Sequence, residues 1–133
     1  MPAFSERSLN NLAGVHPDLQ TIFHKVIEDF DCTIIEGLRT QERQQELYAR
    51  GRWEPGEIVT HLDGVKRRSR HQDGMAVDAV PWPLDWEDEE RFQKLGWFVL
   101  NTATDLKLAG KIDHEITWGG LWRWKDYPHF ELL

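Results

Sequence analysis

The stretch "RHQDGMAVDAV" (residues 70–80) holds a histidine, a glycine three residues on, and an apolar run broken by a single aspartate. An ionised carboxylate among Val77, Ala79 and Val80 is costly to bury unless a charge partner or a metal compensates it. Asp78 therefore either points outward from an edge strand or meets something positive. Gly74 lets the chain turn sharply after His71, because glycine adopts backbone angles closed to other residues. Beyond that turn a strand places Met75, Val77 and Ala79 on one face and Ala76, Asp78 and Val80 on the other. Ala76 is small and leaves room beside the carboxylate. His71 and Asp78 could then share one cation. Zinc accepts both imidazole nitrogen and carboxylate oxygen, and a catalytic zinc site takes three protein ligands.

A third ligand is available in "KDYPHFEL" (125–132). Pro128 pushes Tyr127 into extended backbone. His129 and Glu131 then share one face of a strand, with Phe130 and Leu132 on the other. Asp126, three residues before His129, is placed to serve as a general base beside a metal without ligating it. Spacing alone allows a plainer alternative, in which Asp78 pairs with an arginine such as Arg39 and His129 is an ordinary strand residue.

The flanking sequence supplies the frame. Residues 16–30 carry Leu19, Ile22, Phe23, Val26, Ile27 and Phe30 at helical spacing, with Pro17 and Asp18 in the first turn. "CTIIEG" (32–37) reads as a short strand. Thr40 caps a helix over 41–50 that Gly51 ends. Residues 52–70 read as loop, and 75–82 as a strand stopped by Pro81 and Pro83. A long helix over 85–110 begins with acidic turns and ends at Gly110. Strands over 114–120 and 129–133 flank a Trp-rich turn. The expectation is one α+β domain over residues 1–133, with a small, mainly antiparallel sheet flanked by helices and the candidate metal residues at the sheet.

Composition narrows the function. The 133 residues carry a formal net charge of −7, which argues against general nucleic-acid binding. The basic cluster "KRRSRH" (66–71) is a local exception that could steer an anion, whereas "DWEDEE" (85–90) is acidic. One cysteine, Cys32, excludes an intrachain disulfide and a Cys-based zinc finger. The first residues show no signal-peptide pattern, and no apolar run reaches the ~20 residues a membrane span needs.

With these residues in view, "SRHQDGMAVD" (69–78) resembles the Ser-x-His-x-x-Gly-x-Ala-x-Asp signature of the zinc D-Ala-D-Ala carboxypeptidase family, which includes phage L-alanyl-D-glutamate endopeptidases. "DYPHFEL" (126–132) is similar to its second signature, "EGLRTQERQQELYARG" (36–51) to its Gly-x-Arg-Thr segment, and "WGGLW" (118–122) to its Gly-Gly-Trp turn. The resemblance implies a hedgehog/D,D-peptidase-like fold with one Zn²⁺ per chain, held by His71, Asp78 and His129. It implies Asp126 as general base and then general acid, Arg39 as the group that polarises the scissile carbonyl, and Ser69 as support behind the ligands. Aspartate rather than glutamate at 126 resembles the endopeptidase branch.

The expected activity is hydrolysis of an amide in the peptidoglycan stem peptide, L-Ala–D-Glu first, by a phage or prophage endolysin. It would be made in the host cytoplasm without a signal peptide and act on the wall in the periplasm. A monomer is expected, with a holin or similar partner for wall access, and neither nucleic acid nor stable membrane insertion. A D,D- or L,D-carboxypeptidase or dipeptidase on the same site, or a non-catalytic wall-peptide binding module, are the alternatives. The roles of the 52–68 loop, His61 and His114 stay open.

Overall fold

In the computed structural model, which describes residues 2–133, Ser5 opens a helix α1 (Glu6–Ala13) by accepting from the Ser8 N–H. Only Leu9 and Leu12 supply apolar spacing in this segment, so no local pattern in the sequence marks it as a helix. His16 caps α2 (Pro17–Val26), its Nδ1 accepting from the Asp18 N–H at 2.9 Å. This helix stops at Val26, short of the expected residue 30, and residues up to Phe30 continue as tight turns. Strand β1 (Cys32–Glu36) follows. Thr40 caps α3 (Gln41–Ala49) as expected, accepting from the Arg43 N–H at 3.1 Å.

After the long loop, strand β2 (Ala76–Pro81) leads to α4 (Glu89–Leu108). The α4 helix starts later than its acidic run suggests, because Asp88 is the cap and accepts from the Arg91 N–H. Strands β3 (Ile116–Trp118) and β4 (His129–Leu132) complete one antiparallel sheet in the order β1-β2-β4-β3.

The sheet has two unlike faces. Val77 and Ala79 of β2, Phe130 and Leu132 of β4, and Ile34 of β1 join Leu19, Ile22, Phe23, Leu95 and Val99 from the helices in one hydrophobic core. Each large apolar side chain so buried is worth about 1.5–3 kcal/mol. The opposite face carries Asp78 and His129, which stand directly across from one another on β2 and β4. A bulge in β1 extends this row. Ile34 opposes Ala79, but Glu36 opposes Asp78, so the extra residue at Ile35 turns Glu36 onto the Asp78 side. Glu36, Asp78 and His129 thus form one rung across three strands. Among the described residues, no helix is long and apolar enough to cross a membrane.

Candidate metal centre

His71 sits on a one-turn 3-10 helix (Arg70–Asp73) that is held at both ends. Ser69 Oγ accepts from the His71 N–H at 3.2 Å, and Gln72 Oε1 accepts from the Ser69 N–H at 2.8 Å. Gly74 closes the turn at φ 71°, in the left-handed region where a side chain is strained. This buried turn is stitched to the β1–α3 connection by two bonds. The Arg39 N–H donates to His71 O at 3.0 Å, and His71 Nδ1–H donates to Gly37 O at 2.9 Å.

The second bond sets the tautomer. With its proton on Nδ1, His71 aims the Nε2 lone pair at Asp78 Oδ1, 3.3 Å away. That Nε2 is buried and has no hydrogen-bond partner. His129 does the same from the other side. Its Nε2–H donates to Glu131 Oε1 at 2.8 Å, which leaves Nδ1 facing Asp78 Oδ1 at 3.4 Å. The donor atoms of the three residues all lie within 4.8 Å of one another. Three electron-rich atoms turned inward are mutually repulsive unless a cation joins them. Two imidazoles and a carboxylate are a donor set that zinc accepts. The geometry also attracts protons. Burial opposes the charged form of His129, but Asp78 and Glu131 outweigh it and push its pKa up to about 9. Burial likewise opposes Asp78 ionisation, yet the two histidines hold it well below the usual carboxylate range.

Further residues brace this trio. Arg70 approaches Glu131 Oε2 with Nε at 3.6 Å and donates to Leu132 O, so Glu131 is fixed between Arg70 and His129. A carboxylate behind a ligating histidine orients the ring and raises its basicity. Arg39 is bidentate to Glu36, at 2.7 and 2.6 Å, and its Nη1 donates to Gln44 Oε1 at 2.8 Å. Three of its five N–H groups are so engaged, which leaves one on each Nη for another acceptor. Gln44 is fully buried and also donates to Leu62 O at 2.7 Å. With Gln72 Nε2 donating to Gly64 O at 2.9 Å, it ties the 52–68 loop down beside the site. Glu36, Gln44 and Glu131 had no assigned role in the sequence. Only Glu131 had a local signal, its strand spacing from His129.

Asp126 leads the turn into β4. Its N–H donates to Gly119 O at 3.0 Å, and its own carbonyl accepts from the His129 N–H at 3.1 Å. The residue lies at the surface. Partial desolvation and the Asp78 charge raise its carboxyl pKa, against the pull of His129, His71 and Arg39. Its charge is thus felt by the trio and by Arg39. The structure therefore brings His71, Asp78 and His129 together, with Ser69 behind His71.

The basic cluster divides. Arg68 pairs with Asp73 at 2.9 Å and Arg70 braces Glu131, whereas Lys66 and Arg67 are exposed.

A second His/Asp group, His16, Asp18 and His114, differs in kind. Asp18 Oδ2 already accepts from the Asp113 N–H, the His114 N–H and His114 Nδ1, at 3.0, 3.1 and 2.7 Å. His16 Nδ1 is spent on its helix cap. The inward atoms here are satisfied, so Asp18 and His114 anchor the loop before β3.

A family model for the phage L-alanyl-D-glutamate peptidase matches residues 2–133. The peptidoglycan L-alanyl-D-glutamate endopeptidase CwlK of Bacillus subtilis is 33% identical over 112 residues, which cover 77% of this chain and 61% of that relative. The chain thus spans less than two thirds of the length of CwlK. The crystal structure of the L-Ala D-Glu endopeptidase ChiX of Serratia marcescens superposes with a TM-score of 0.75 at 30% identity, over 99% of this chain and 91% of that one.

Proposed function

Because the chain belongs to the phage L-alanyl-D-glutamate peptidase family, matched over residues 2–133, we propose that it hydrolyses the L-Ala–D-Glu amide of the peptidoglycan stem peptide at a zinc centre. The observation that carries this reading is the buried, partnerless His71 Nε2 aimed at Asp78, with His129 converging on the same carboxylate oxygen. In this reading His71, Asp78 and His129 hold one zinc ion. Zinc, when bound, supplies Lewis acidity, polarising a carbonyl oxygen and making water acidic enough to react near neutral pH.

The chain's own residues do the rest. An Asp126 carboxylate oxygen takes a proton from the attacking water and later returns it to the departing D-Glu nitrogen. The two uncommitted N–H groups of Arg39 face the acyl oxygen as negative charge develops there. Glu36 and Gln44 hold that guanidinium still, so the donors are aligned before the reaction begins. Glu131 keeps His129 in the tautomer whose Nδ1 is free to ligate. Ser69 supports the turn that carries His71. Residues 1–133 act as one domain and one monomer in this proposal, and a holin-type partner would supply access to the wall.

Digestion of purified peptidoglycan, followed by mass spectrometry, tests the reading. The expected products are peptides that begin with D-Glu, with L-Ala left on the muramyl group. Release of free D-Ala alone would overturn the endopeptidase reading in favour of a carboxypeptidase.

A further inference from the structure

The turn between β3 and β4 presents tryptophans in two opposite environments. Trp118 is 1% exposed and packs in the core, its Nε1–H donating to Tyr127 O at 2.7 Å. Trp122 and Trp124, on the same turn, are 36% and 81% exposed. Leaving indole surface in water gains the fold nothing. Nor is the turn loose. Gly119 O accepts from the N–H groups of both Trp122 and Asp126, at 3.2 and 3.0 Å, and Trp118 pins its base. The exposed rings are therefore carried on a fixed support. Trp122 stands against the candidate metal centre, its ring centroid 5.1 Å from that of His129. The Arg123 guanidinium carbon lies 5.7 Å from the Trp124 ring centroid and adds hydrogen-bond donors to the same surface.

We propose that Trp122, Arg123 and Trp124 form a saccharide subsite, which stacks on the amino sugar that bears the stem peptide. This inference rests on the stem-peptidase reading above. The L-Ala–D-Glu bond is separated from the sugar only by L-Ala and the lactyl group. Two extended units span roughly 7 Å, so an amide seated at His129 brings a pyranose ring within reach of Trp122. A pyranose has an apolar C–H face and a polar rim. It matches a flat indole flanked by an arginine that can donate to hydroxyl or N-acetyl oxygens. Covering about 60 Å² of indole face corresponds to about tenfold in affinity.

The test uses two soluble substrates, a muramyl stem peptide and the same peptide without the sugar, with the zinc-loaded full chain. The wild type is expected to favour the sugar-bearing substrate through a lower KM. Trp122→Ala and Trp124→Ala should each reduce the ratio of kcat/KM, sugar-bearing over sugar-free, about tenfold, with Trp122→Phe recovering part of it. In parallel, the N-acetylglucosamine–N-acetylmuramic acid disaccharide is titrated into labelled protein and indole N–H resonances are followed. Shifts at Trp122 and Trp124, but not at buried Trp118, are expected. An unchanged substrate ratio in both variants, or indole resonances that stay still at millimolar disaccharide, would overturn the subsite. If the wild type cuts neither substrate, the peptidase reading fails and the disaccharide titration decides the subsite alone.

Discussion

Gly119→Ala places a methyl group where the structure has none to spare. A Cβ at Gly119 would lie 2.2 Å from the Asp126 carbonyl oxygen and 2.9 Å from Asp126 Cβ. The nearest separation that real Cβ atoms tolerate is 3.0 Å, so the turn must open by at least 0.8 Å. The obstacle is backbone, not the tip of a flexible side chain, and the carbonyl that must move belongs to the proposed general base. The stability cost of such overpacking is about 1–3 kcal/mol. The catalytic cost is larger, because a shift of about 1 Å in a reacting group is worth about 10²-fold in rate. Zinc content should stay near one per chain, since Asp78 and His129 are fixed by the pairing of β2 with β4. Steady-state kinetics on a muramyl stem peptide, metal analysis and a thermal melt measure the three quantities together. A folded, zinc-loaded Gly119→Ala protein with kcat within about threefold of wild type would refute the link between this close approach and Asp126.

Three other outcomes are expected. Glu131→Gln should weaken zinc binding about 10–100-fold while the fold persists, measured by competition with a chelating dye; unchanged affinity would remove Glu131 from the support of His129. Arg39→Lys should keep zinc but lose most of kcat, because an ammonium cannot reproduce the fork gripped by Glu36 and Gln44; full activity would show that a point charge suffices. Asp18→Asn should cost about 1.5–3 kcal/mol at neutral pH. Burial opposes Asp18 ionisation, but the bonds from His114 and Asp113 outweigh it and hold its pKa below the ordinary 3.8. A depressed carboxyl contributes stability above its unfolded pKa and loses it as pH falls through the folded one. The gap in Tm between the two proteins should therefore narrow as pH drops below about 4, and a constant gap would show that the charge is not what matters.

Much of the centre was legible because strand periodicity is strict. Asp78 in an apolar run, Gly74 before it, and His129 and Glu131 two apart each follow from alternation and turn chemistry alone. What the sequence did not disclose depends on contacts between distant segments. Gln44 reaches Thr60 and Leu62 across 16 and 18 residues, and no local pattern marks it. Glu36 reaches the site only because a bulge breaks the alternation of β1. Helix α1 was missed because its apolar content is sparse and much of its support comes from packing on β1, where Ser8 Oγ accepts from the Ile34 N–H at 3.0 Å and Asn11 Nδ2 donates to Ile34 O at 2.8 Å. Trp118 is buried because Gly96 and Gly120 leave room for its ring, while Trp122 and Trp124 stay at the surface, a division that composition cannot express.

The rung of Glu36, Asp78 and His129 bears on which genetic changes the chain can absorb. Substitutions along β1, β2 and β4 leave the alternation intact, whereas losing or gaining one residue reverses every side chain beyond that point. Deleting Phe130 would send Glu131 toward the core, stripping His129 of the carboxylate that accepts from its Nε2–H while every residue of the rung is still present. A similar change in the 52–68 loop would leave the rung alone, because that segment is fastened to the site by side chains of Gln44 and Gln72 rather than by strand pairing. Length variation in a lineage of such chains should therefore collect in the loop and spare the strands.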